Sequence, residues 1–327
     1  MPKALITTVP FADKDPLPLQ LLEKAGIEYL INPIGRKLKE DELAEMVSDF
    51  DVLIAGTEPI TEKVMSNGKD LKLISRVGIG LDSVDLLAAE KRGIHVSYTP
   101  DAPAPAVAEL TIGMMLTLLR HVHLASSQMH HGLWHRYFGR RVSEITIGII
   151  GVGRIGLGVI ERLACFKPFR ILINDTNPKV GFSSMPWVES ATKEEIYQQA
   201  DLISLHVPLT AQTKNMIQYH HLKAMKKDAI VINTSRGGII NELDLARALS
   251  DGHLSGAAVD VFEQEPYDGE LRDIERCLLT SHMGSMSVDC RTRMEIEATE
   301  EAVRFLTGQP LEGVVPQEEY DVQRKGL

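Results

Sequence analysis

The 327-residue chain holds only three cysteines, Cys165, Cys277 and Cys290. Their number leaves one unpaired, their spacing matches no metal-ligand pattern, and two of them fall in helix or strand patterns. No metal site is expected, and buried thiols in a reducing compartment, the cytoplasm, are. Basic residues are not in excess either. Lys and Arg number 35 against 45 Asp and Glu, a net charge of −10, which gives a nucleic-acid partner no electrostatic support. No apolar run reaches the length of a membrane span. The opening MPKALITTVP has neither the apolar length nor the cleavage pattern of a signal peptide. Internal repeats and low-complexity segments are absent. What remains is an ordinary globular composition, 44% apolar and 24% charged, over a length sufficient for two cores.

The most informative stretch runs from Glu144 to Asp175. Its β-branched run, Ile145, Ile147, Ile149 and Ile150, has the pattern of a strand buried on both faces. The run enters Gly151-Val152-Gly153-Arg154-Ile155-Gly156, a GxGxxG turn. A helical stretch follows over about 154–166, with Ile155, Val159, Ile160 and Leu163 on one stripe. A second apolar run, Ile171-Leu172-Ile173, ends at Asp175. Strand, glycine turn, helix, strand and acid make a βαβ unit of the required length. Gly151 allows the tight turn, Gly153 lets a pyrophosphate approach the backbone, and Gly156 lets the helix lie close on the strand. The helix N-terminus then faces an anion. Asp175 is placed to accept hydrogen bonds from a ribose and to repel a 2′-phosphate, so the reading is a dinucleotide site for NAD rather than NADP.

The first hundred residues also alternate strands and helices. Strands are expected at 4–9, 52–55, 71–75 and 94–97, and helices at 17–25, 41–47 and 83–91. Pro100, Pro103 and Pro105 mark a linker. One long helix, Ala106–Leu124, is apolar nearly all round and so needs cover on more than one side; packing between domains or subunits is the expected use. Further strands are expected at 202–205, 229–232, 257–259 and 278–279, and helices at 242–249 and 291–306. The polar tail 317–327 is expected to be mobile.

Polar residues cluster at four expected strand ends: SLHVPLT (204–210), NTSRGG (233–238), VDVFEQEP (259–266) and LTSHMGS (279–285). Together with GVGRIG, the VGIGLDSVD loop (77–85) and the PAPAVAELTIGMML helix, they occur in the order found in the D-isomer-specific 2-hydroxyacid dehydrogenase family. Over almost its whole length the chain resembles that family, and most closely its phosphoglycerate-dehydrogenase-like branch. The resemblance implies an α/β protein of two doubly wound parallel-sheet domains with a cleft between them. Residues 1–99 with 286–327 would form a flavodoxin-like substrate or lid domain, and 100–285 a Rossmann NAD domain. The implied activity is NAD-dependent interconversion of a D-2-hydroxy acid and its 2-oxo acid, in a homodimer built on the long helix.

By the same resemblance Arg236, Glu265 and His282 are the catalytic set. The chemistry agrees: a guanidinium can hold a substrate carboxylate through two parallel hydrogen bonds, and an imidazole can exchange the proton. A carboxylate on the far ring nitrogen would fix the tautomer. Gly78, Ile79 and Gly80 would bind the substrate carboxylate through their amides. The cofactor set implied is Gly151, Gly153, Arg154, Ile155, Gly156, Asp175, His206, Val207, Pro208, Thr213, Thr234, Ser235, Asp260 and Gly284. Taken singly, the alternatives stay open: Asp260 as a structural turn acid, Val207 as core, His282 as a histidine bonded to backbone.

Some features depart from the family pattern. Phosphoglycerate-specific members place arginines in the loop after the third strand. Here 55–62 reads AGTEPITE, with no arginine and an additional acid. No regulatory domain is expected after the second domain. The segment 129–141 is basic and aromatic, and reads either as an arm reaching a neighbouring subunit's active site or as an interface loop with solvated charges. A second function, an NAD-sensing corepressor-like scaffold without fast turnover, also resembles this family. The complete Arg236, Glu265, His282 set argues against it.

Overall fold

A computed structural model describes residues 1–176 and 185–325. The chain divides into two compact units, 1–103 with 286–327, and 104–285.

The first unit begins with β1 (Lys3–Ile6), α1 (Leu17–Lys24), β2 (Glu28–Ile31) and α2 (Glu40–Met46). It continues with β3 (Val52–Ala55), α3 (Glu62–Asn67), β4 (Leu73–Arg76), α4 (Leu86–Arg92) and β5 (His95–Tyr98). The strands form one parallel sheet in the order β2-β1-β3-β4-β5, a doubly wound order that reverses between β1 and β3. β3 and β4 are buried at every position, as both-faced cover requires. The edge strand β2 alternates between exposed and half-buried, so its four residues carry little apolar signal. α4 starts later than the sequence pattern suggests because Asp85 caps it, accepting from Ala88 N at 2.9 Å. Gly93 at φ 69° ends it.

The second unit opens with α5 (Pro103–Leu119) and α6 (Val122–His130), then β6 (Thr146–Ile150), α7 (Arg154–Leu163), β7 (Arg170–Asn174) and β8 (Val188–Ser190). α8 (Lys193–Gln199), β9 (Leu202–Leu205), α9 (Tyr219–Ala224), β10 (Ile230–Asn233), α10 (Glu242–Ser250), β11 (Gly256–Val259) and β12 (Cys277–Leu279) complete it. Its parallel sheet has the order β12-β11-β10-β9-β6-β7-β8, the Rossmann order with one added strand. Alternate strand residues feed two cores. Ile147, Leu202, Ile230 and Ala258 pack on the α5 and α7 side, whereas Ile203, Val231 and Ala257 pack on the other. Each buried Ile, Leu or Val among them contributes about 1.5–3 kcal/mol from burial.

Two expectations are corrected here. The long helix over 106–124 is broken: His121 is left-handed at φ 53° and caps the start of α6. The reason is tertiary, because Arg140 N donates to Leu119 O at 2.9 Å as the chain returns to the end of α5. Most apolar positions of α5 also face the unit's own core, including Ala108, Met114, Met115, Leu118 and Leu119. The polar tail is likewise not free. After α11 (Val288–Leu306), which packs on α1, β3 and β4, the chain forms α12 (Gln317–Arg324) against α4. Gln323 accepts from Leu86 N at 2.9 Å and donates to Val84 O at 2.8 Å. Gly326 and Leu327 lie outside the described residues.

Candidate active site

The glycine turn after β6 has the shape its residues suggest. Gly151 is at φ 93°, and a Cβ there would lie 2.4 Å from His206 O. A Cβ at Gly156 would lie 2.0 Å from Gly151 O. At Gly153, the N-cap of α7, a Cβ would meet nothing within 4 Å. The turn is therefore closed on its inner side and open over its middle glycine, at a helix N-terminus, which is the space a pyrophosphate needs. Asp175 is stationed beside it, its Oδ2 accepting from Val152 N at 2.6 Å. Arg154 is exposed at the first turn of α7, and Ile155 beside it is half-buried. These residues fit a dinucleotide.

The next strand end, after β9, packs under this turn. His206 Nε2 is 2.9 Å from Ser204 Oγ, while Nδ1 is buried with no hydrogen-bond partner among the described residues. Burial pushes the ring's pKa down to about 3, so it is neutral. Val207 packs partly against the core. Thr213 is tied into its own loop, donating to Pro208 O at 2.6 Å and accepting from Thr210 N at 2.7 Å.

After β10, Asn233 organises the segment that carries Arg236. Its Oδ1 accepts from Ser235 N at 3.1 Å and Ser235 Oγ at 2.8 Å, and its Nδ2 donates to Arg236 O at 2.8 Å. Thr234 Oγ1 is 2.8 Å from Thr111 Oγ1 on α5. The Thr234 and Ser235 side chains are thus engaged inside the protein and fix the course of the segment that leads to Arg236. Arg236 is half-buried, with Nη1 donating to Ser235 O at 2.7 Å. Next to it Gly237 lies so close to the following loop that a Cβ would be 2.0 Å from Phe262 C.

That following loop brings Glu265 to His282. His282 Nδ1 is 3.1 Å from Glu265 Oε1 and 3.0 Å from Oε2, and Phe262 N donates to Oε1 at 3.1 Å. The His282 side chain is 34% exposed, so the ring has one buried edge and one open edge. Its backbone is left-handed at φ 53°, a conformation costing of order 1–3 kcal/mol in a non-glycine residue. Asp260, 1% exposed, holds it there. Oδ1 accepts from Thr280 Oγ1 at 2.5 Å and Met283 N at 2.8 Å, Oδ2 from Gly284 N at 2.8 Å, and the Asp260 carbonyl from His282 N at 2.8 Å. Asp260 thus has the geometry of the structural alternative, a clamp on the histidine loop. Arg236, Glu265 and His282 follow β10, β11 and β12, three adjacent strands, at one sheet edge.

Two contributors escaped the sequence reading. Asn233 opens the polar segment NTSRGG, and its position at the strand end was the available signal. Glu242 at the start of α10 accepts from Glu263 N at 2.7 Å, and burial, with Glu263 and Glu265 nearby, raises its pKa. In the first unit, the loop after β4 is pinned at Gly78, whose amide donates to Thr99 Oγ1 at 2.8 Å. That amide is already committed, which leaves the half-buried Ile79 and Gly80 as donors.

An NAD-dependent oxidoreductase is the class that this fold and these strand ends define, and the comparisons agree. The family model described as D-isomer specific 2-hydroxyacid dehydrogenase, NAD binding domain, matches residues 112–284. The hydroxypyruvate reductase of Thermotoga maritima is 34% identical over 297 residues, 87% of this chain and 96% of that protein. The D-3-phosphoglycerate dehydrogenase of Methanocaldococcus jannaschii is 36% identical over 303 residues, 91% of this chain but 57% of that longer relative. Among solved structures, D-lactate dehydrogenase from Aquifex aeolicus complexed with NAD and lactic acid aligns with a TM-score of 0.83 at 25% identity, covering 93% of this chain and 96% of that one. The chain belongs to the D-isomer-specific 2-hydroxyacid dehydrogenase family, and acts on CH–OH groups with NAD.

Proposed function

We propose that Arg236, Glu265 and His282 carry the interconversion of a small D-2-hydroxy acid and its 2-oxo acid. The observation that supports this most is the imidazole of His282, bonded to Glu265 through Nδ1 and open at its other edge. With Nδ1–H directed at the carboxylate, Nε2 is left to hold or release a proton at the substrate oxygen. Arg236 binds the substrate carboxylate with two parallel charge-assisted hydrogen bonds and orients the reacting carbon. NAD, when bound, supplies the hydride acceptor or, when reduced, the donor. In the reducing direction the 2-oxo carbon gains hydride and its oxygen gains the proton of His282. Asp260 is a positioning residue, holding the loop from which the imidazole projects.

The cofactor side follows the glycine turn, with Arg154 near the pyrophosphate, Asp175 at the ribose and His206, Val207 and Pro208 beside the adenosine half. A homodimer is part of the same proposal. Its support lies in the excursion 120–139, which leaves Val122, Leu133, Trp134 (79% exposed) and Phe138 (101%) facing solvent. Buried free thiols at Cys277 and Cys290 support a cytoplasmic address. The test is loss of NADH absorbance with a panel of 2-oxo acids that includes glyoxylate and hydroxypyruvate. Turnover is expected for wild type and a fall of about 1,000-fold or more in kcat/KM for Arg236→Ala. Full activity in that variant would refute the assignment.

A further inference from the structure

The imidazole of His282 is set from two directions. Asp260 fixes the loop after β12 that carries it. Its partner Glu265 stands on a different loop, the one after β11, and that loop has an anchor of its own. Two successive amides there are committed: Phe262 N donates to Glu265 Oε1 at 3.1 Å, and Glu263 N to Glu242 Oε1 at 2.7 Å. The first bond ties the Glu265 carboxylate to its loop, and the second ties the loop to the start of α10. The same peptide unit lies against Gly237, where a Cβ would stand 2.0 Å from Phe262 C and 2.3 Å from Glu263 N. It is therefore gripped between Gly237, next to Arg236, and Glu242, both in the segment that follows β10.

Glu242 is a firm post for this grip. The segment leading to it is bonded to the chain ahead of α9. Asn215 N donates to Gly238 O at 2.7 Å, Ile217 N to Ile239 O at 3.1 Å and Asn241 N to Ile217 O at 2.9 Å. Ile217, Ile239 and Ile240 are buried in the core. Asn241 caps α10, its Oδ1 accepting from Asp244 N at 3.0 Å. The electrostatics, by contrast, do not favour an acid here. Burial and the like charges of Glu263 and Glu265 raise the pKa of Glu242 against the pull of the Glu263 amide. Lys214, the loop's cation, lies 4.0 Å from the Glu263 carboxylate. A half-buried acid among like charges is a costly choice unless its oxygen is needed as an acceptor.

We propose that Glu242 is a positioning residue for the proton step: by holding the Glu263 amide it sets where Glu265 meets His282 Nδ1, and so where Nε2 stands. The inference rests on the proton role proposed above for His282. Arg236 is held separately, its carbonyl accepting from Asn233 Nδ2 at 2.8 Å. Loss of the Glu242 contact should therefore move the imidazole and leave the guanidinium in place.

Two small changes at this half-buried position separate the acceptor from its charge. Glu242→Asp keeps the charge and withdraws the oxygen from Glu263 N, whereas Glu242→Gln keeps the oxygen in reach and removes the charge. Both are assayed with NADH and whichever of glyoxylate and hydroxypyruvate wild type reduces faster. Glu242→Asp is expected to lower kcat by about 10- to 100-fold and to raise the solvent deuterium isotope effect on it. KM for the acid and the NADH dissociation constant should change by less than about threefold. Glu242→Gln is expected to stay within about threefold of wild type in kcat. In a His282→Ala background Glu242→Asp should change kcat by less than about twofold, because its effect passes through the imidazole. Wild-type kcat in Glu242→Asp, or an equal loss in Glu242→Gln, would overturn the proposal. So would a loss carried by KM or NADH affinity with the solvent isotope effect unchanged. Failure of wild type to oxidise NADH with either acid would overturn the function itself, and this inference with it.

Discussion

Two sheet edges of the same architectural kind are put to opposite uses. At the carboxyl edge of the seven-stranded sheet, Glu265 faces an imidazole that is 34% exposed, and a second, buried acid, Asp260, holds the loop beneath it. At the carboxyl edge of the five-stranded sheet, Glu58 is buried and spends Oε1 on the donors around it. One edge keeps a proton-carrying group at its surface, and the other closes over its own anion. A doubly wound order offers the place, while the side chains at the strand ends decide whether chemistry is done there.

Breaking the open edge should have the larger effect. Asp260→Asn replaces an acceptor that receives three loop hydrogen bonds with a group that can accept on one side only. Turnover should fall by about 100-fold, read as kcat, with the NADH dissociation constant changed by less than about threefold. A fall in cofactor affinity with kcat intact would instead place Asp260 on the cofactor side. At the closed edge, Glu58→Gln should lower unfolding free energy by about 1–3 kcal/mol in urea, because its amide nitrogen enters a buried site built for an acceptor. Stability equal to wild type would show that the edge is more open than the geometry implies.

A pH-dependent effect concerns His206, beneath the glycine turn. Burial pushes its pKa down to about 3 in the folded protein, from 6.5 for a free histidine. Above 6.5 both folded and unfolded chains carry it neutral, and the stabilisation is complete. As pH falls from 6.5 towards 3 the unfolded chain takes up the proton first, so stability is lost by up to about 1.4 kcal/mol per pH unit. Denaturant melts in that window should show a shallower slope for His206→Gln than for wild type, and equal slopes would contradict the burial of the ring.

What the sequence made legible was local. The turn 151–156 and the strands around it declare themselves through apolar period and glycine spacing, and the polar strand ends stand out against them. What was not legible depends on residues far apart in the chain. The break at His121 follows from Arg140 returning to Leu119 O. The helix in the polar tail exists because Gln323 bonds to Val84 and Leu86, more than two hundred residues earlier. Glu58 could be seen as an additional acid, but its closure of the edge needs Thr7 on another strand. Asp260 left two readings open for the same reason, since its partners arrive only with the loop after β12.

The central claim is that the imidazole of residue 282, braced by Glu265, moves the proton in hydride exchange between NAD and a 2-hydroxy acid. The most direct measurement is a single-turnover reduction of glyoxylate or hydroxypyruvate by NADH bound to wild type and to His282→Ala, with NADH binding followed separately by fluorescence. The account predicts equal NADH binding and a rate lower by about 100- to 10,000-fold in the variant. A variant that binds NADH and reduces the acid at the wild-type rate would contradict it.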